Sequence, residues 1–215
     1  VDALPSRLSA SAVESLRACP YQFFARSVLG LREADELDET LDKRDYGTWL
    51  HAVLHRFHRD RAELGTDGTD DAAALRHAAD ALAGEMGLDA ARLLPYRAGF
   101  EHLVPAYLDW LHARDARGVR WVDGERSAER APPELEGVRL HGRIDRVDAQ
   151  GGTAELIDYK TGSVQRLRDQ VRDRLEDTQL AFYALLMDAD LGDATAISAG
   201  YLALDDAKAP VAVAH

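Results

Sequence analysis

The sequence predicts an α/β fold with a mixed sheet, in the element order α-β-β-β-α-β, preceded by an N-terminal helical subdomain. Apolar residues recur at helical spacing through most of residues 1–117. From Gly118 onward the apolar spacing changes from about 3.6 residues to about 2, the spacing of strands. No internal repeat or low-complexity linker separates the two parts. We therefore expect one domain over 1–215, with a mainly helical part at 1–117 and an α/β core at 118–215.

Helix signals begin close to the N-terminus. Ser11 and Glu14 have the spacing of a capping box ahead of an apolar run. Pro20 punctuates the segment that follows, and the apolar and aromatic residues at 21–29 end at Gly30, a residue that commonly stops a helix. We expect two short helices here.

Three longer helices are expected in the rest of the helical part. An acidic stretch at 33–42 precedes them and is expected to be a solvated loop. The first helix is predicted at 47–64, and the other two at 71–86 and 90–114. The first of these depends on apolar residues at helical spacing, namely Leu50, Val53, Leu54, Phe57 and Leu64.

The core alternates strands with one helix. Period-2 patterns predict strands at 119–130, 138–148 and 153–160. A helix is predicted at 167–187, and a fourth strand at 196–204. The C-terminal residues contain no clear stop signal, so we expect the chain to be a fragment of a larger protein.

Charge and cysteine content exclude several classes of function. The one cysteine, Cys19, cannot form a disulfide framework or a four-cysteine metal site within this chain, and it favours a reducing, cytoplasmic setting. No apolar run approaches the about 20 residues that span a bilayer, and the N-terminus does not resemble a signal peptide, so no membrane partner is expected. A net charge of -12 argues against a protein that holds nucleic acid unaided.

A Gly-Gly turn brings two aspartates together. The sequence 150–153 places Gly151-Gly152 between two alternating runs, which predicts a two-residue hairpin turn. Such a turn pairs residues whose numbers sum to 303, so Asp145 lies opposite Asp158 at about 5 Å between Cβ atoms. Lys160 shares the face of Asp158, since side chains two apart on a strand point the same way. Like charges so placed destabilise a sheet unless a divalent cation offsets them.

Two acids and a lysine on one face suit phosphodiester hydrolysis. Carboxylates hold a hard cation that polarises the phosphate and lowers the pKa of the attacking water. A lysine can orient that water or stabilise the developing negative charge. The alternative is a surface hairpin with ordinary exposed ion pairs, because Asp-x-Lys alone is a very common pattern.

A series of motifs carries a family resemblance along nearly the whole chain. In order they are Leu8-Ser-Ala-Ser11, Cys19-Pro-Tyr-Gln-Phe-Phe24, Gly47-Thr-Trp-Leu-His51, Gly142-Arg-Ile-Asp145-Arg-Val-Asp148, Leu156-Ile-Asp158-Tyr-Lys160-Thr-Gly162 and Gln179-Leu-Ala-Phe-Tyr183. The series resembles RecB-like nucleases of the PD-(D/E)xK superfamily, especially the C-terminal nuclease domain of AddB-type helicase–nuclease subunits and related DNA repair proteins. The resemblance implies a restriction-endonuclease-like core. It also implies a metal-dependent DNA nuclease that acts in repair or recombination, with an exonuclease favoured over an endonuclease.

The resemblance also implies roles for individual residues. Asp145 and Asp158 would ligate Mg²⁺ or Mn²⁺, with the backbone carbonyl of Tyr159 and the side chain of His51 completing the site. Lys160 would be the catalytic lysine. Gln179 and Tyr183 would position DNA or brace the site, although helix packing explains Tyr183 equally well.

The chain lacks two features of the family's helicase–nuclease proteins, and two other functions compete with the nuclease. AddB-type domains use an iron–sulfur cluster held by one early and three late cysteines; Cys19 matches the early one and the late three are missing. Either the chain stops before them, or it does without the cluster and Cys19 is a buried small hydrophobe, which we favour. A Walker segment is missing too, so a helicase domain or subunit would deliver the DNA. The competing functions are a catalytically silent module that binds DNA or a helicase, and a helical scaffold with an incidental hairpin.

Several further residues have other interpretations. His51, His55 and His58 have the spacing of one helical face, but a zinc site is disfavoured because no His-Glu-x-x-His motif is present. No role is assigned to His55 and His58. Glu125 is expected at an exposed strand position, although it could add a carboxylate near the metal. A solvated face with ion pairs is expected for the mixed charged run of Arg166, Arg168, Asp169, Arg172, Asp173, Arg174, Glu176 and Asp177.

Overall fold

The computed structural model describes residues 5–31, 43–65, 70–172, 177–188, 196–204 and 210–214. The acidic stretch predicted as a loop at 33–42 lies outside these ranges. The described residues form an α/β fold with the helices first and a mixed sheet after them, as predicted.

The N-terminal segment combines a short strand with helical turns. Strand β1 (Arg7–Leu8) is followed by α1 (Ala10–Ala18), α2 (Pro20–Phe23) and a π-helical turn (Phe24–Val28). The predicted cap at Ser11 is wrong by two residues, because the Ser9 hydroxyl accepts the hydrogen bond from the Ala12 N–H instead.

Three helices form a layer on one face of the sheet. They are α3 (Lys43–Leu64), α4 (Asp71–Glu85) and α5 (Ala90–Ala116). Asp70 and Asp89 cap α4 and α5 with their side chains. The apolar stripe of α3 is buried as its spacing predicts, except for Leu64 at its end, which is 79% exposed. Trp49 packs edge-on against Phe100 within this layer.

The sheet runs through the centre of the fold. Its strands are β1, β2 (Arg120–Arg130), β3 (Arg139–Gln150), β4 (Thr153–Lys160), β5 (Ala196–Ala203) and β6 (Val211–Ala214). The order is β1-β3-β4-β5-β6, and β2 pairs with β3. The β3–β4 and β2–β3 pairs are antiparallel, whereas β4 and β5 are parallel. Strands β1 and β6 were not predicted from the sequence.

Two further helices follow β4. The helix predicted at 167–187 is instead α6 (Val164–Arg172) and α7 (Gln179–Met187). Helix α7 and the N-terminal segment pack on the face of the sheet opposite α3, where Phe23, Leu156 and Leu186 share a core. The sheet is thus buried on both faces. In the described part of the chain, no helix has the length and apolarity needed to cross a bilayer.

The predicted hairpin register is confirmed. Five β3–β4 pairs have residue numbers that sum to 303, from Gln150–Thr153 to Arg146–Ile157. Gly151 and Gly152 both have positive φ, which the tight turn requires. The ladder ends one pair before the two aspartates, and the candidate site begins there.

Candidate metal centre

Asp145 lies where the β3–β4 ladder ends and uses both carboxylate oxygens. Its Oδ2 accepts a hydrogen bond from the backbone N–H of Tyr159 at 2.8 Å. Its Oδ1 lies 3.4 Å from Nδ1 of His51, which projects from α3. The side chain therefore takes the place of the next ladder bond and links the helical layer to the sheet.

Asp158 is held by two partners on the same side of the sheet. Lys160 Nζ lies 2.7 Å from Asp158 Oδ2, and Gln179 Nε2 donates to Asp158 Oδ1 at 2.9 Å. Gln179 Oε1 accepts from Lys160 Nζ at 3.0 Å, and its Nε2 also donates to the hydroxyl of Tyr183. The structure thus brings together Asp145, Asp158, Lys160, Gln179, Tyr183 and His51. Tyr183 also packs in the apolar core, as the helix-packing interpretation expects.

Glu125 belongs to the same cluster, which corrects the expectation of an exposed strand position. One ligand atom from each of His51, Glu125 and Asp145 lies within 4.8 Å of the others. The Glu125 side chain is 19% exposed and pairs with Arg143 at 2.7 Å. Its neighbours pair as Gly124–Arg146 and Arg126–Ile144, so Glu125 stands opposite Asp145. Its φ of 51° lies in the left-handed region, which is costly for a residue with a Cβ.

The site carries excess negative charge. Burial and the charge of Asp145 raise the pKa of Asp158 to about 6, although Lys160 and His51 act in the opposite direction. Burial alone would lower the pKa of His51, but Asp145, Asp158 and Glu125 raise it overall. Burial, with a contribution from Asp145, also raises the pKa of Glu125, against the effect of Arg143. Each shift has the direction expected where cations are too few for the carboxylates.

These residues fit a divalent cation. Hard cations such as Mg²⁺ and Mn²⁺ prefer carboxylate and carbonyl oxygens, and Mn²⁺ tolerates an imidazole. His51, Glu125 and Asp145 supply that donor set, with one ligand atom each within 4.8 Å of the others. Asp158 lies outside this cluster but near it, and a cation would offset the charge of Asp145 that raises the pKa of Asp158. Tyr159, whose carbonyl is a predicted ligand, has its N–H fixed by Asp145 and lines the same cleft.

The site opens into a cleft of about 760 Å³. The N-terminal segment contributes Arg7, Ser9 and Ser11 to its lining, which also contains both aspartates and Lys160. The N-terminal motif is therefore part of the site in space, although it lies more than 130 residues from Asp145 in the sequence.

The three histidines of α3 face different surroundings. His51 lies at the metal centre, while His55 lies beside Gly124 of β2. His58 is buried, and its Nε2 contacts Arg146 Nη1 and the Tyr107 hydroxyl, both at 2.6 Å. Among the residues that the structure describes, the three do not form a common metal cluster.

A buried polar network lies behind the metal centre. Arg146 and Asp148 are at most 1% exposed and form an ion pair at 2.8 Å. Asp148 also pairs with Arg114 of α5 at 2.7 Å, and Tyr107 reaches the hydroxyl of Tyr159 at 3.3 Å. This network anchors α3 and α5 to the strand that carries Tyr159.

Two expectations about single residues are wrong. Asp177 is 1% exposed, not solvated, and its Oδ1 accepts hydrogen bonds from the Gln179 N–H and the Tyr201 hydroxyl, which anchors the start of α7. Cys19 is exposed, not a buried hydrophobe, since it falls between α1 and α2. Of the charged run that contains Asp177, residues 173–176 lie outside the described ranges.

The fold and the site together define a class of α/β domain in which a mixed sheet presents two aspartates and a lysine beside a histidine from a helix. The chain belongs to the PD-(D/E)XK nuclease superfamily, whose family model matches residues 7–214. The resemblance inferred from the motifs is therefore confirmed.

The chain is similar to parts of two helicase/deoxyribonuclease subunits and of an uncharacterized protein. It is 31% identical over 214 residues to an ATP-dependent helicase/deoxyribonuclease subunit of Desulforudis audaxviator, covering 89% of the chain and 18% of that protein. It is 30% identical over 181 residues to the protein of the same name in Acetivibrio thermocellus, covering 74% of the chain and 16% of that protein. An uncharacterized protein of Rickettsia felis matches 25% of the chain, with 40% identity over 53 residues. The chain thus spans less than a fifth of the length of the two helicase/deoxyribonuclease relatives.

Proposed function

We propose that the chain is a metal-dependent deoxyribonuclease that hydrolyses DNA phosphodiester bonds. The observation that carries the proposal is the convergence of Asp145, Asp158 and Lys160 with His51 in one cleft. A domain without catalytic function would have no need to keep a buried aspartate, Asp158, near the charge of Asp145, because their repulsion destabilises the fold.

Five residues of the candidate metal centre would hold the cation. His51, Glu125, Asp145, Asp158 and the carbonyl of Tyr159 would hold Mg²⁺ or Mn²⁺. When bound, the cation would polarise the scissile phosphate and lower the pKa of a water molecule.

Lys160 is the group that can reach the substrate. Its side chain is 31% exposed, whereas that of Asp158 beneath it is 6% exposed. The ammonium group can therefore donate to a phosphate oxygen and stabilise negative charge that develops there. Gln179 positions both groups, and Tyr183 supports Gln179.

The wider setting of this activity is part of the proposal. We propose that residues 1–215 act as one nuclease domain, with 1–117 supplying His51 and 118–215 the remaining groups. The named relatives are helicase/deoxyribonuclease subunits. We therefore propose that a helicase domain or subunit delivers the DNA, and that the domain acts as an exonuclease in repair or recombination.

Cleavage of linear DNA tests the proposal. The chain is incubated with linear single- and double-stranded DNA and Mn²⁺, in parallel with Asp158→Asn and with Asp169→Asn on the exposed face of α6 as the matched control. We expect cleavage by the wild type and the control, and at least a 100-fold loss in Asp158→Asn. Mn²⁺ should also raise the melting temperature of the wild type by mass action.

Two results would count against the nuclease. Equal cleavage by the wild type and Asp158→Asn would point to a contaminant. An absence of cleavage at high protein concentration, with DNA binding retained, would indicate the catalytically silent module instead.

A further inference from the structure

A second groove lies on the exposed side of α3. It measures about 460 Å³ and is lined by five cationic residues: Lys43, Arg44, Arg56, Arg59 and Arg143. Glu125 is the one carboxylate among the described residues that line it. We call this surface the basic groove. Its positive charge stands out in a chain whose net charge is -12.

Two arginines of α3 lie on the same face of the helix. Arg44 and Arg59 belong to a row with Thr48, His51 and His55, at steps of four, three, four and four residues. The row extends for about 22 Å at 1.5 Å per residue. The opposite face of α3 is buried against α4 and α5. Arg44 and Arg59 therefore lie near the two ends of an elongated surface, whose shape suits a chain of phosphates better than a single anion.

The basic groove is continuous with the metal centre. His51 and Arg143 line both the groove and the catalytic cleft, and Glu125 connects the groove to the metal cluster. A polynucleotide with one phosphate at Asp145 and Asp158 would place its neighbouring phosphates along the groove.

Two arginines of the groove pair with carboxylates outside its lining, and these pairs are open to exchange with phosphate. Arg56 pairs with Glu85 and Arg59 with Asp60, and the carboxylates of both pairs are about half exposed. Exposed pairs contribute little free energy, so phosphate can replace the carboxylate. His55 Nδ1 is buried and has no hydrogen-bond partner among the described residues. A Cβ at Gly124 would come within 2.7 Å of that atom, so the glycine leaves room for the ring.

We propose that the basic groove binds the sugar–phosphate backbone of the DNA strand beside the scissile phosphate. This rests on the proposed nuclease function and adds to it the path of the substrate. The contacts are to phosphates, so binding is independent of base sequence and depends on salt. Binding along the basic groove would let a domain of net negative charge hold a DNA strand that the proposed helicase domain or subunit delivers.

Binding of a fluorescein-labelled 20-nucleotide single strand tests the path. Anisotropy is measured with Ca²⁺ in place of Mg²⁺ over a range of salt concentrations. The groove variant is Arg44→Gln/Arg59→Gln. The control is Arg76→Gln/Arg92→Gln, which removes the same charge from exposed positions on α4 and α5.

The groove variant should bind about 10-fold more weakly at 0.1 M salt, and its salt slope should fall by about 0.7 for each phosphate that is no longer neutralised. The control should match the wild type. Hydrolysis of bis(p-nitrophenyl) phosphate with Mn²⁺, which needs the metal centre alone, should be the same in all three proteins.

The two proposals fail in different ways. If the wild type cleaves DNA but the groove variant keeps the wild-type affinity and salt slope, the path is wrong and the nuclease stands. If both variants weaken binding equally, net charge is responsible and the path is again wrong. If no diester is cleaved but the groove variant alone binds weakly, the groove binds DNA and the nuclease proposal fails.

Discussion

The side-chain amide of Gln179 bridges Asp158 and Lys160, donating from Nε2 to Asp158 Oδ1 at 2.9 Å and accepting from Lys160 Nζ at 3.0 Å. The two ends of the amide match the opposite charges of its partners, so one orientation of the group satisfies both. Asp177 holds the first turn of α7 in place beneath it.

Gln179→Glu should disable the centre without unfolding the domain. A carboxylate cannot donate to Asp158 and adds a like charge beside it. We expect cleavage of DNA to slow by about 10- to 100-fold, as is typical when a group that orients metal ligands is changed. Kinetics with Mn²⁺ and thermal unfolding measure the two effects. Gln165→Glu on α6 is the control, and wild-type cleavage by Gln179→Glu would exclude the bridging role.

Glu125 should lower the stability of the fold through its backbone conformation while its carboxylate contributes to metal binding. Its positive φ costs about 1–2 kcal/mol for a residue with a Cβ, and glycine adopts that conformation freely. Glu125→Gly should therefore be more stable than Glu125→Ala by about 1 kcal/mol. Both variants should bind Mn²⁺ equally weakly in titration calorimetry, because both lack the carboxylate.

A neighbouring position provides the control for Glu125. Ser127, on the same strand, does not have a positive φ. There the alanine variant should be the more stable of the pair in urea unfolding, because glycine weakens a strand. If the alanine variant is more stable than the glycine variant at Glu125 as well as at Ser127, the backbone at Glu125 is not strained.

Gly142 should be intolerant of a side chain. A Cβ there would lie 3.0 Å from Leu186 Cδ1 and 3.1 Å from Tyr183 Cε1, and the Tyr183 hydroxyl is held by Gln179. Gly142→Ala should destabilise the fold by about 1–3 kcal/mol through overpacking. Gly84→Ala, in open space on α4, should instead stabilise it by up to about 1 kcal/mol. Urea unfolding measures both, and a neutral Gly142→Ala would mean that α7 can move away.

His58 should make stability depend on pH. Its Nε2 accepts from Arg146, which can only donate, so the imidazole is neutral in the fold. Burial, followed by the charge of Arg146, lowers the pKa of His58 well below its usual value. The unfolded chain therefore binds a proton below pH 6.5 that the folded chain does not, and stability falls as pH decreases.

The variant His58→Gln isolates this effect. Between pH 6.5 and 5 the wild type should lose up to about 1.4 kcal/mol per pH unit more than the variant does. Urea unfolding at several pH values measures the difference, with the exposed His77→Gln as control. Parallel profiles for the wild type and His58→Gln would mean that His58 is not held neutral.

The parts of the site that could be predicted from the sequence depend on local rules. The Gly151-Gly152 turn sets the register of one hairpin, so the placement of Asp145 opposite Asp158 followed from counting residues. The connection from β2 to β3 is longer and irregular, and β2 contains a register shift between Trp121 and Asp123. The register of β2 against β3 therefore could not be predicted from residue numbers, and neither could the position of Glu125 opposite Asp145.

Asp177 was missed for a different reason. In the sequence it ends a run of alternating charges, which is the pattern of a solvated face. Its burial depends on Tyr201, a residue of the following strand, whose hydroxyl donates to it. Whether such a residue is buried depends on contacts with segments distant in the sequence, and the local sequence pattern does not predict those contacts.

The candidate metal centre is also a constraint on the order of folding. The side chains proposed to hold the cation come from positions 51, 125, 145 and 158, on one helix and three strands. A nascent chain that has left the ribosome as far as Ile144 contains His51 and Glu125 but neither aspartate. Because pairing between distant segments comes late in folding, the helices can pack before the centre exists. The proposed cation site is therefore complete only after the β3–β4 hairpin docks on α3, so incomplete translation products would lack it.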